Sequence, residues 1–436
     1  RASKVTNTTH MRKPRHGARR NRQSTVARVV AAHVALTSCV QRSSCADPDR
    51  RKRLEADPVT WLRYYLRHTY PLPFERPHRE LIDGALRAIR DGGRYVIAAE
   101  RGVGKSSVLW GIALYASLSG LSRLPVIIAW SDRAGRRALA YWRNALSYSR
   151  ELADDYPEIC APFRHARGLS QKLLATWWED TGQPTHAALR VHDGLIQYPD
   201  GLGGLGAASI GGNVRGLSLP LPDGGVLRPT LALVDDVQDR DVARSPSRVR
   251  DTIERIDADV AALGIAGQPC PVLMAVNCIA PDDVAAHYLG ARTWRSSRVP
   301  CVESWPDGFF DRSPARKLWD EWFELAREDK AAAAEFFCAR RDSMASGFAF
   351  SAPSFLSAPF GDPYQSAMWQ YYMLGHDAFF AERQQSPIVR EDVSTSVRLS
   401  RALIASKLVD SRPLDVPPWA ALVVASSDVN WSYAIS

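Results

Sequence analysis

The chain has 436 residues, enough for two or three domains of ordinary size. Hydrophobic residues make up 45% and charged residues 24% of it, proportions that exclude wholesale disorder and a fibrous repeat. No stretch approaches 18 uninterrupted apolar residues, so the sequence predicts no membrane-spanning helix and no membrane partner.

The net charge of +9 is unevenly distributed. Residues 1–53 hold 14 of the 56 Lys and Arg residues but only 2 of the 47 Asp and Glu residues, a balance of +12 that leaves −3 for the remainder. Such a basic arm can neutralise nucleic-acid phosphates. It can equally be a solvated, disordered tail without a defined partner.

Two features bear on the cellular compartment. Residues 26–39 mimic a secretory signal, but Arg28 and His33 interrupt the apolar run. The seven cysteines are scattered and lack the spacing of a zinc site. Both observations favour a cytosolic protein with reduced thiols.

From residue 58 onward, short apolar runs alternate with helical patterns. Prolines in the aromatic segment 61–74 favour extended or turn structure there. Helical periodicity predicts helices over residues 78–89, 108–118, 134–148, 249–263 and 315–337. Short apolar runs predict strands over residues 95–99, 125–130, 231–234, 272–276 and 420–425, with a hairpin at 189–192 and 195–198. The alternation predicts an α/β fold with a mostly parallel sheet covered on both faces.

The strongest chemical motif is Ala-Glu-Arg-Gly-Val-Gly-Lys-Ser at residues 99–106, the 99–106 loop, between a predicted strand and a predicted helix. Its glycines would let backbone N–H groups point at phosphates, while Lys105 supplies a positive charge and Ser106 binds Mg²⁺. Ala99 replaces the usual first Gly, and a strand–turn–helix that merely contains Gly-Lys-Ser is the alternative. The residues predicted to bind ATP are Arg101, Gly102, Val103, Gly104, Lys105, Ser106 and Ser107.

A pair of carboxylates, Asp235 and Asp236, ends the predicted strand 231–234. Asp235 would hold Mg²⁺ at the carboxyl end of its strand, and Asp236 would polarise the attacking water. Many ATPases carry Glu at the second position, and Asp is one methylene shorter. An acidic turn after a strand is the alternative.

Taken together, these segments resemble the large terminase subunit of tailed double-stranded DNA phages, the motor that packages the genome. The resemblance covers roughly residues 58–436. Besides the 99–106 loop with its early Arg101 and the acidic pair, it rests on Pro73-Phe74, His78-Arg-Glu-Leu81, Val214-Arg-Gly216, Arg228-Pro229, Ser245-Pro246, and Gly375 with Ala378-Phe379, Glu382 and Gln385. It implies a P-loop NTPase domain followed by the start of an RNase H-like domain.

The resemblance assigns roles to three further residues. Asn277, after strand 272–276, stands in the motif that couples hydrolysis to DNA movement, where Thr or Ser is frequent; its amide can sense a γ-phosphate, or it is simply part of a capped turn. Arg215 would stabilise charge on the γ-phosphoryl group or bind DNA backbone, unless it is a surface residue of a flexible glycine loop. Asp428 is similar to the first metal-binding Asp of the nuclease domain, or is a turn residue.

The implied domains are a basic arm at 1–53, an ATPase domain at 58–345, a connector at 346–414 and the first strand of a truncated nuclease domain at 415–436. Because the chain ends before partner carboxylates, the sequence predicts no endonuclease activity for it. The implied function is Mg²⁺-dependent ATP hydrolysis by a homo-oligomer that moves double-stranded DNA into a procapsid. The implied partners are the portal protein and the small terminase subunit, in the cytoplasm of the bacterial host with transient docking on the procapsid.

Two alternatives stay open. A nucleic-acid helicase or remodelling ATPase uses the same loop and acidic strand, normally with a second motor domain. A non-catalytic DNA-binding assembly protein could keep a degenerate nucleotide site and act through its basic arm. A measurement of ATP binding would distinguish the assembly protein from the motor. A measurement of DNA strand separation would identify the helicase.

Overall fold

The computed structural model describes two compact units, one that extends to Ile388 and one formed from Val389 onward. The described residues are 39–41, 43–165, 177–190, 194–212, 214–261, 263–265, 267–311, 314–388, 428–429 and 434–435. Most of the predicted basic arm and the predicted strand 420–425 lie outside them.

An eight-stranded sheet forms the centre of the first unit. Its strands are β1 (Arg94–Ala99), β2 (Pro125–Ala129), β3 (Ala188–Arg190), β4 (Leu195–Gln197), β5 (Gly204–Ser209), β6 (Leu231–Asp235), β7 (Val272–Val276) and β8 (Arg295–Val299). They lie in the order β8-β1-β7-β6-β2-β5-β4-β3. The six strands from β8 to β5 run parallel, and β4 and β3 extend the sheet by antiparallel pairing. The predicted mostly parallel α/β sheet is confirmed.

The helices cover both faces of this sheet. Within the described residues they are α1 (Pro48–Glu55), α2 (Pro58–Tyr65), α3 (Arg76–Asp91), α4 (Lys105–Leu118), α5 (Asp132–Tyr148), α6 (Arg150–Asp155), α7 (Pro157–His165), α8 (Arg240–Ala243), α9 (Pro246–Ala261), α10 (Val284–Gly290), α11 (Pro314–Glu328), α12 (Lys330–Ala345), α13 (Pro363–Leu374) and α14 (His376–Glu382). None of them is long and apolar enough to cross a membrane.

Side chains alternate between two cores along each central strand, as the two-residue period of a strand requires. Ile97 and Leu233 point to the face packed by α3, α4 and α5. Their neighbours Val96 and Val234 point to the opposite face, packed by α9 and α10. Because both faces are covered, the central strands are buried throughout and read as continuous apolar runs rather than alternating ones.

The prediction for the aromatic segment was wrong in its first half. Residues 61–65 lie in α2, because Asp57 accepts hydrogen bonds from the backbone N–H groups of Val59 and Thr60 and Pro58 occupies the first turn. The prolines break regular structure only further along, before α3 begins at Arg76.

The predicted helix 315–337 is two helices. Asp329 begins α12 by accepting hydrogen bonds from the N–H groups of Ala331 and Ala332, so an N-cap interrupts a continuous helical pattern.

The glycine-rich passage from Gly201 to Gly216 contains a strand that its composition concealed. In β5, a Cβ atom added to Gly204 would lie 2.1 Å from the carbonyl oxygen of Ile196, and one added to Gly206 would lie 2.7 Å from Cγ1 of Val126. Glycine therefore permits the close approach of neighbouring strands, although it weakens the sequence signal for a strand.

The described part of the predicted connector, up to residue 388, packs into the first unit. Ala349–Phe350 pairs antiparallel with Val302–Ser304. The helices α13 and α14 contribute Met368 and Phe379 to an aromatic core that also holds Trp319 of α11. The first unit therefore continues about forty residues past the boundary predicted at 345, because aromatic side chains on both sides of that boundary fill one core.

Two residue pairs are described in the second unit. Asp428–Val429 pairs antiparallel with Ala434–Ile435, with Asp428 opposite Ile435. The RNase H-like start and the metal-binding role of Asp428 stay predictions, since the strand predicted before them lies outside the described residues.

A buried carboxylate joins the first helices to α6. Asp155 is fully buried and accepts hydrogen bonds from Nε of Arg50 at 2.9 Å and from the hydroxyl of Tyr65 at 2.6 Å. A second guanidinium nitrogen of Arg50 bonds the other carboxylate oxygen. Removing this carboxylate would leave a buried hydroxyl and part of a guanidinium without their acceptor.

Asp155→Ala should therefore lower the free energy of unfolding by about 2–4 kcal/mol, measured by urea denaturation. Asp154→Ala is the matched control, because the Asp154 side chain is 47% exposed and its ion pair with Arg150 is long, at 3.7 Å. The control should change stability by less than about 0.5 kcal/mol. Equal losses in both variants would contradict the structural role given to Asp155.

Candidate active site

Most of the predicted site residues lie where three neighbouring strands end. β1 leads into the 99–106 loop, β6 ends at Asp235, and β7, which pairs with both, is followed by Asn277. In open parallel sheets, ligands bind at the carboxyl ends of the strands. The fold thus brings together segments that are more than 100 residues apart in sequence.

The backbone of the 99–106 loop depends on two glycines. Gly102 and Gly104 have φ angles of +99° and +82°, a region that other residues rarely adopt. Gly104 immediately precedes α4, so the N–H groups of the first turn of this helix lie at the loop. Val103 between them is buried against Val299 and Ala352, which anchors the loop to the core.

The side chain of Lys105 points into the protein and has all three of its donors occupied. Its ammonium nitrogen lies 2.8 Å from the carbonyl oxygens of Ala99 and Glu100 and 2.8 Å from Oδ1 of Asn277. Burial lowers the pKa of Lys105 to about 8, against the opposing attraction of Asp236 and Asp235. The sequence predicted Lys105 at this site, and the structure adds its direct bond to Asn277.

The hydroxyl of Ser106 donates a hydrogen bond to Oδ1 of Asp235 at 3.1 Å. Burial raises the pKa of Asp235 to about 6; the negative charge of Asp236 adds to the rise, while the bond from Ser106 and the charge of Lys105 oppose it. A hydroxyl and a carboxylate together are the oxygen ligands that Mg²⁺ prefers, so this pair fits the predicted cation. Among the described residues, no group of three or more His, Cys, Asp and Glu side chains is placed to hold a metal ion.

Asp236 follows at the end of β6 in a left-handed backbone conformation, with φ at +48°. Its Oδ1 atom is buried and has no hydrogen-bond partner among the described residues. Buried polar atoms are normally paired. An unpaired carboxylate oxygen beside Asp235 and Lys105 is therefore suited to a group that the protein itself does not supply.

Asn277 is fixed by a second layer of hydrogen bonds. Gln238 donates from Nε2 to the carbonyl oxygen of Asn277 at 3.0 Å and to Oδ2 of Asp283 at 2.7 Å. Gln385 accepts from the N–H of Cys278 at 2.9 Å. The carbonyl of Asn277 and the neighbouring N–H are thus both held, and the Asn277 amide faces Lys105.

The remaining predicted loop residues differ in exposure. Arg101 is half exposed and forms an ion pair with Glu382 at 3.3 Å. Ser107 accepts a hydrogen bond at its carbonyl from the hydroxyl of Tyr70 at 2.6 Å, which ties the first turn of α4 to the aromatic segment. Four residues at the site were not among the predicted site residues: Glu100, Gln238, Arg240 and Arg383. Glu100 lies within the 99–106 loop, but the motif assigns no role to its side chain. The other three lie outside any motif, because each acts through contacts between distant segments.

Within the first unit, one predicted residue is not brought to the loop. Arg215 is largely exposed and pairs with Asp259 of α9 at 3.3 Å, beside Gly211 and Gly212 in a separate cleft of about 920 Å³. Asp428 lies in the second unit. The roles of both residues stay predictions.

His78 supports the loop from α3. It is buried, accepts a hydrogen bond at Nδ1 from the N–H of Glu75 at 3.0 Å, and its Nε2 lies 2.7 Å from the carbonyl oxygen of Val103. A neutral ring protonated at Nε2 satisfies both contacts. Burial lowers the pKa of His78 below its ordinary value of 6.5, since it disfavours the charged ring.

Stability that depends on neutral His78 is present above pH 6.5 and is lost as the pH falls through the lower pKa of the folded state. His78→Gln should cost about 1–2 kcal/mol at pH 8, with a deficit that shrinks below pH 6. Leu81→Val, in the same helix, is the control whose deficit should not vary with pH. Chemical denaturation between pH 5 and pH 8 measures both, and a pH-independent deficit for His78→Gln would contradict the assignment.

No family model and no curated protein matches the chain. Among solved structures, the chain is similar to the crystal structure of the HK97 bacteriophage large terminase, with 12% identity, a TM-score of 0.35, and coverage of 66% of this chain and 52% of that one. It is also similar to a mutant ATPase domain of the Thermus phage P74-26 large terminase, with 12% identity, a TM-score of 0.29, and coverage of 59% and 94%.

The chain therefore spans about half the length of the HK97 protein that it matches. Both solved structures are phage large terminases, the family that the sequence motifs resemble.

Proposed function

We propose that this chain is the ATP-hydrolysing motor subunit of a phage DNA-packaging terminase. The observation that carries the proposal is the convergence of Lys105, Ser106 and Asp235 at the carboxyl ends of two parallel strands, β1 and β6, that flank β7. A phosphate-binding loop and an acidic strand end that meet at one edge of the sheet are the minimum that nucleotide hydrolysis of this type requires.

In this proposal, the backbone N–H groups of the loop from Arg101 to Ser107 cradle the phosphates, and Lys105 contributes its charge to the β and γ groups. Ser106 and Asp235 hold Mg²⁺, which when bound would neutralise charge on the phosphates. Asp236 orients the attacking water through its unpaired Oδ1 and accepts a proton from it.

Asn277 would couple the state of the nucleotide to the rest of the sheet. Because the three donors of Lys105 are already bonded to protein oxygens, a γ-phosphate can be bound only if one of these bonds is exchanged. Asn277 supplies the only side-chain acceptor of the three. Release of its side-chain amide would remove one of the bonds that hold the segment after β7, the segment that the resemblance associates with DNA movement.

The wider assignment follows from the resemblance and the charge distribution. Translocation of double-stranded DNA, a homo-oligomeric ring, the portal protein and small subunit as partners, and docking on a procapsid in the host cytoplasm all belong to the proposal. The part of the predicted basic arm that precedes α1, residues 1–47, would contact DNA phosphates, since Arg50 in α1 is bonded to Asp155. Residues 415–436 would begin an RNase H-like domain in which Asp428 binds metal.

Two substitutions separate binding from hydrolysis. Lys105→Ala should weaken ATP binding at least about tenfold, because the phosphates lose their interaction with a buried ammonium group. Asp236→Asn should retain binding and lower kcat by about 10²- to 10⁴-fold, because the water loses its base. Lys317→Ala, an exposed lysine of α11, is the control and should change neither quantity.

Isothermal titration and phosphate-release assays with Mg²⁺ and double-stranded DNA provide the two readouts. Absence of ATP binding in the parent chain would favour the non-catalytic assembly protein. ATP-dependent separation of DNA strands would favour the helicase.

A further inference from the structure

Residues 382–385, here called the clasp, begin at the last residue of α14 and contact loops that surround the candidate site. Glu382 and Arg383 bond the 99–106 loop. Gln385 bonds the backbone after β7 at Cys278. Gln384 exchanges two hydrogen bonds with the backbone of Val302, at 2.8 and 3.0 Å. Four consecutive residues therefore join the end of α14 to the segments that follow β1, β7 and β8.

The carboxylate of Glu382 lies between two arginines. Its Oε2 pairs with Nε of Arg101 at 3.3 Å, and its Oε1 accepts a hydrogen bond from Nη2 of Arg240. The side chain of Glu382 is only 17% exposed, whereas those of Arg101 and Arg240 are 49% and 62% exposed. The carbonyl of Glu382 also accepts the backbone N–H of Arg101 at 3.2 Å.

The position of this pair of arginines relates it to the nucleotide site. Arg101 is part of the 99–106 loop, and Arg240 begins α8, four residues after Asp236. A guanidinium group binds carboxylate and phosphate in the same forked manner. Glu382 therefore holds two groups that could otherwise turn to a phosphate.

The adjacent Arg383 anchors the clasp. Its Nη1 donates to Oε2 of the buried Glu100 at 3.1 Å and to the carbonyl oxygen of Arg101 at 2.7 Å. Glu100 is 1% exposed and its second carboxylate oxygen has no partner among the described residues. This bond keeps the clasp close to the loop even when Glu382 releases its arginines.

We propose that Glu382 occupies Arg101 and Arg240 when no nucleotide is bound, and that the phosphates of ATP displace it. This inference rests on the proposed function and deepens it. It makes Arg240 a phosphate-binding residue and Glu382 a positioning residue that competes with the nucleotide. Binding couplings are reciprocal. If the ion pairs of Glu382 weaken ATP binding, bound ATP therefore weakens these ion pairs by the same free energy.

A purely structural role for Glu382 gives the opposite expectation. If the ion pairs only stiffened the loop in its binding-competent form, their loss would weaken ATP binding. If they compete with the phosphates, their loss strengthens it. The sign of the change in affinity therefore decides between the two roles.

Glu382→Gln tests this sign, since glutamine keeps the shape of the side chain and leaves the backbone bond to Arg101 intact. With the full chain and Mg·ATP, titration calorimetry should show binding about fivefold tighter than in the parent, the effect of two partly exposed ion pairs. Glu303→Gln is the control, because Glu303 forms a comparable ion pair with Arg76 at 2.7 Å in the same unit. The control should bind ATP as the parent does.

Unchanged or weaker binding by Glu382→Gln overturns the inference while the proposed function stands. A parent chain that binds no ATP overturns both. Amide hydrogen exchange of the parent gives a second measurement that needs no variant: a peptide covering residues 378–386 should exchange faster at saturating concentrations of a non-hydrolysable ATP analogue. Slower or unchanged exchange also overturns the inference.

Discussion

The candidate site depends on one interaction, the burial of the Lys105 ammonium group against three protein oxygens. A buried ammonium is tolerated only when its donors are satisfied, and here two backbone carbonyls and the amide of Asn277 satisfy them. The same burial lowers the pKa of Lys105 and raises that of Asp235. Burial thus disfavours the charged forms of both Lys105 and Asp235. An anionic phosphate beside Lys105 and a cation beside Asp235 would stabilise these charged forms.

The local parts of this site were predictable because each depends on a short stretch of sequence. Glycines at 102 and 104 are required by positive φ angles, and the apolar runs before Ala99 and Asp235 are buried strands. In a parallel sheet, the ends of such strands meet at one edge, so the meeting of loop and carboxylates followed from the fold class. The role predicted for Asn277 comes from the resemblance, which includes strand 272–276 and the residue that follows it.

The parts that could not be predicted are those that depend on contacts between distant segments. Strand β5 forms in a glycine-rich passage because neighbouring strands approach closely. The packing of α13 and α14 on the first unit depends on an aromatic core assembled from three separate stretches. Arg240 and Arg383 carry no motif, since their partners Glu382 and Glu100 lie more than 100 residues away.

A crystal structure of the chain with Mg²⁺ and a non-hydrolysable ATP analogue would test the proposed nucleotide site most directly. We expect the triphosphate on the backbone amides of the 99–106 loop, an oxygen of the terminal phosphate on the Lys105 ammonium, and the cation beside Ser106 and Asp235. A nucleotide bound elsewhere, with Lys105 still bonded to Asn277 and both backbone carbonyls, would rule out this site.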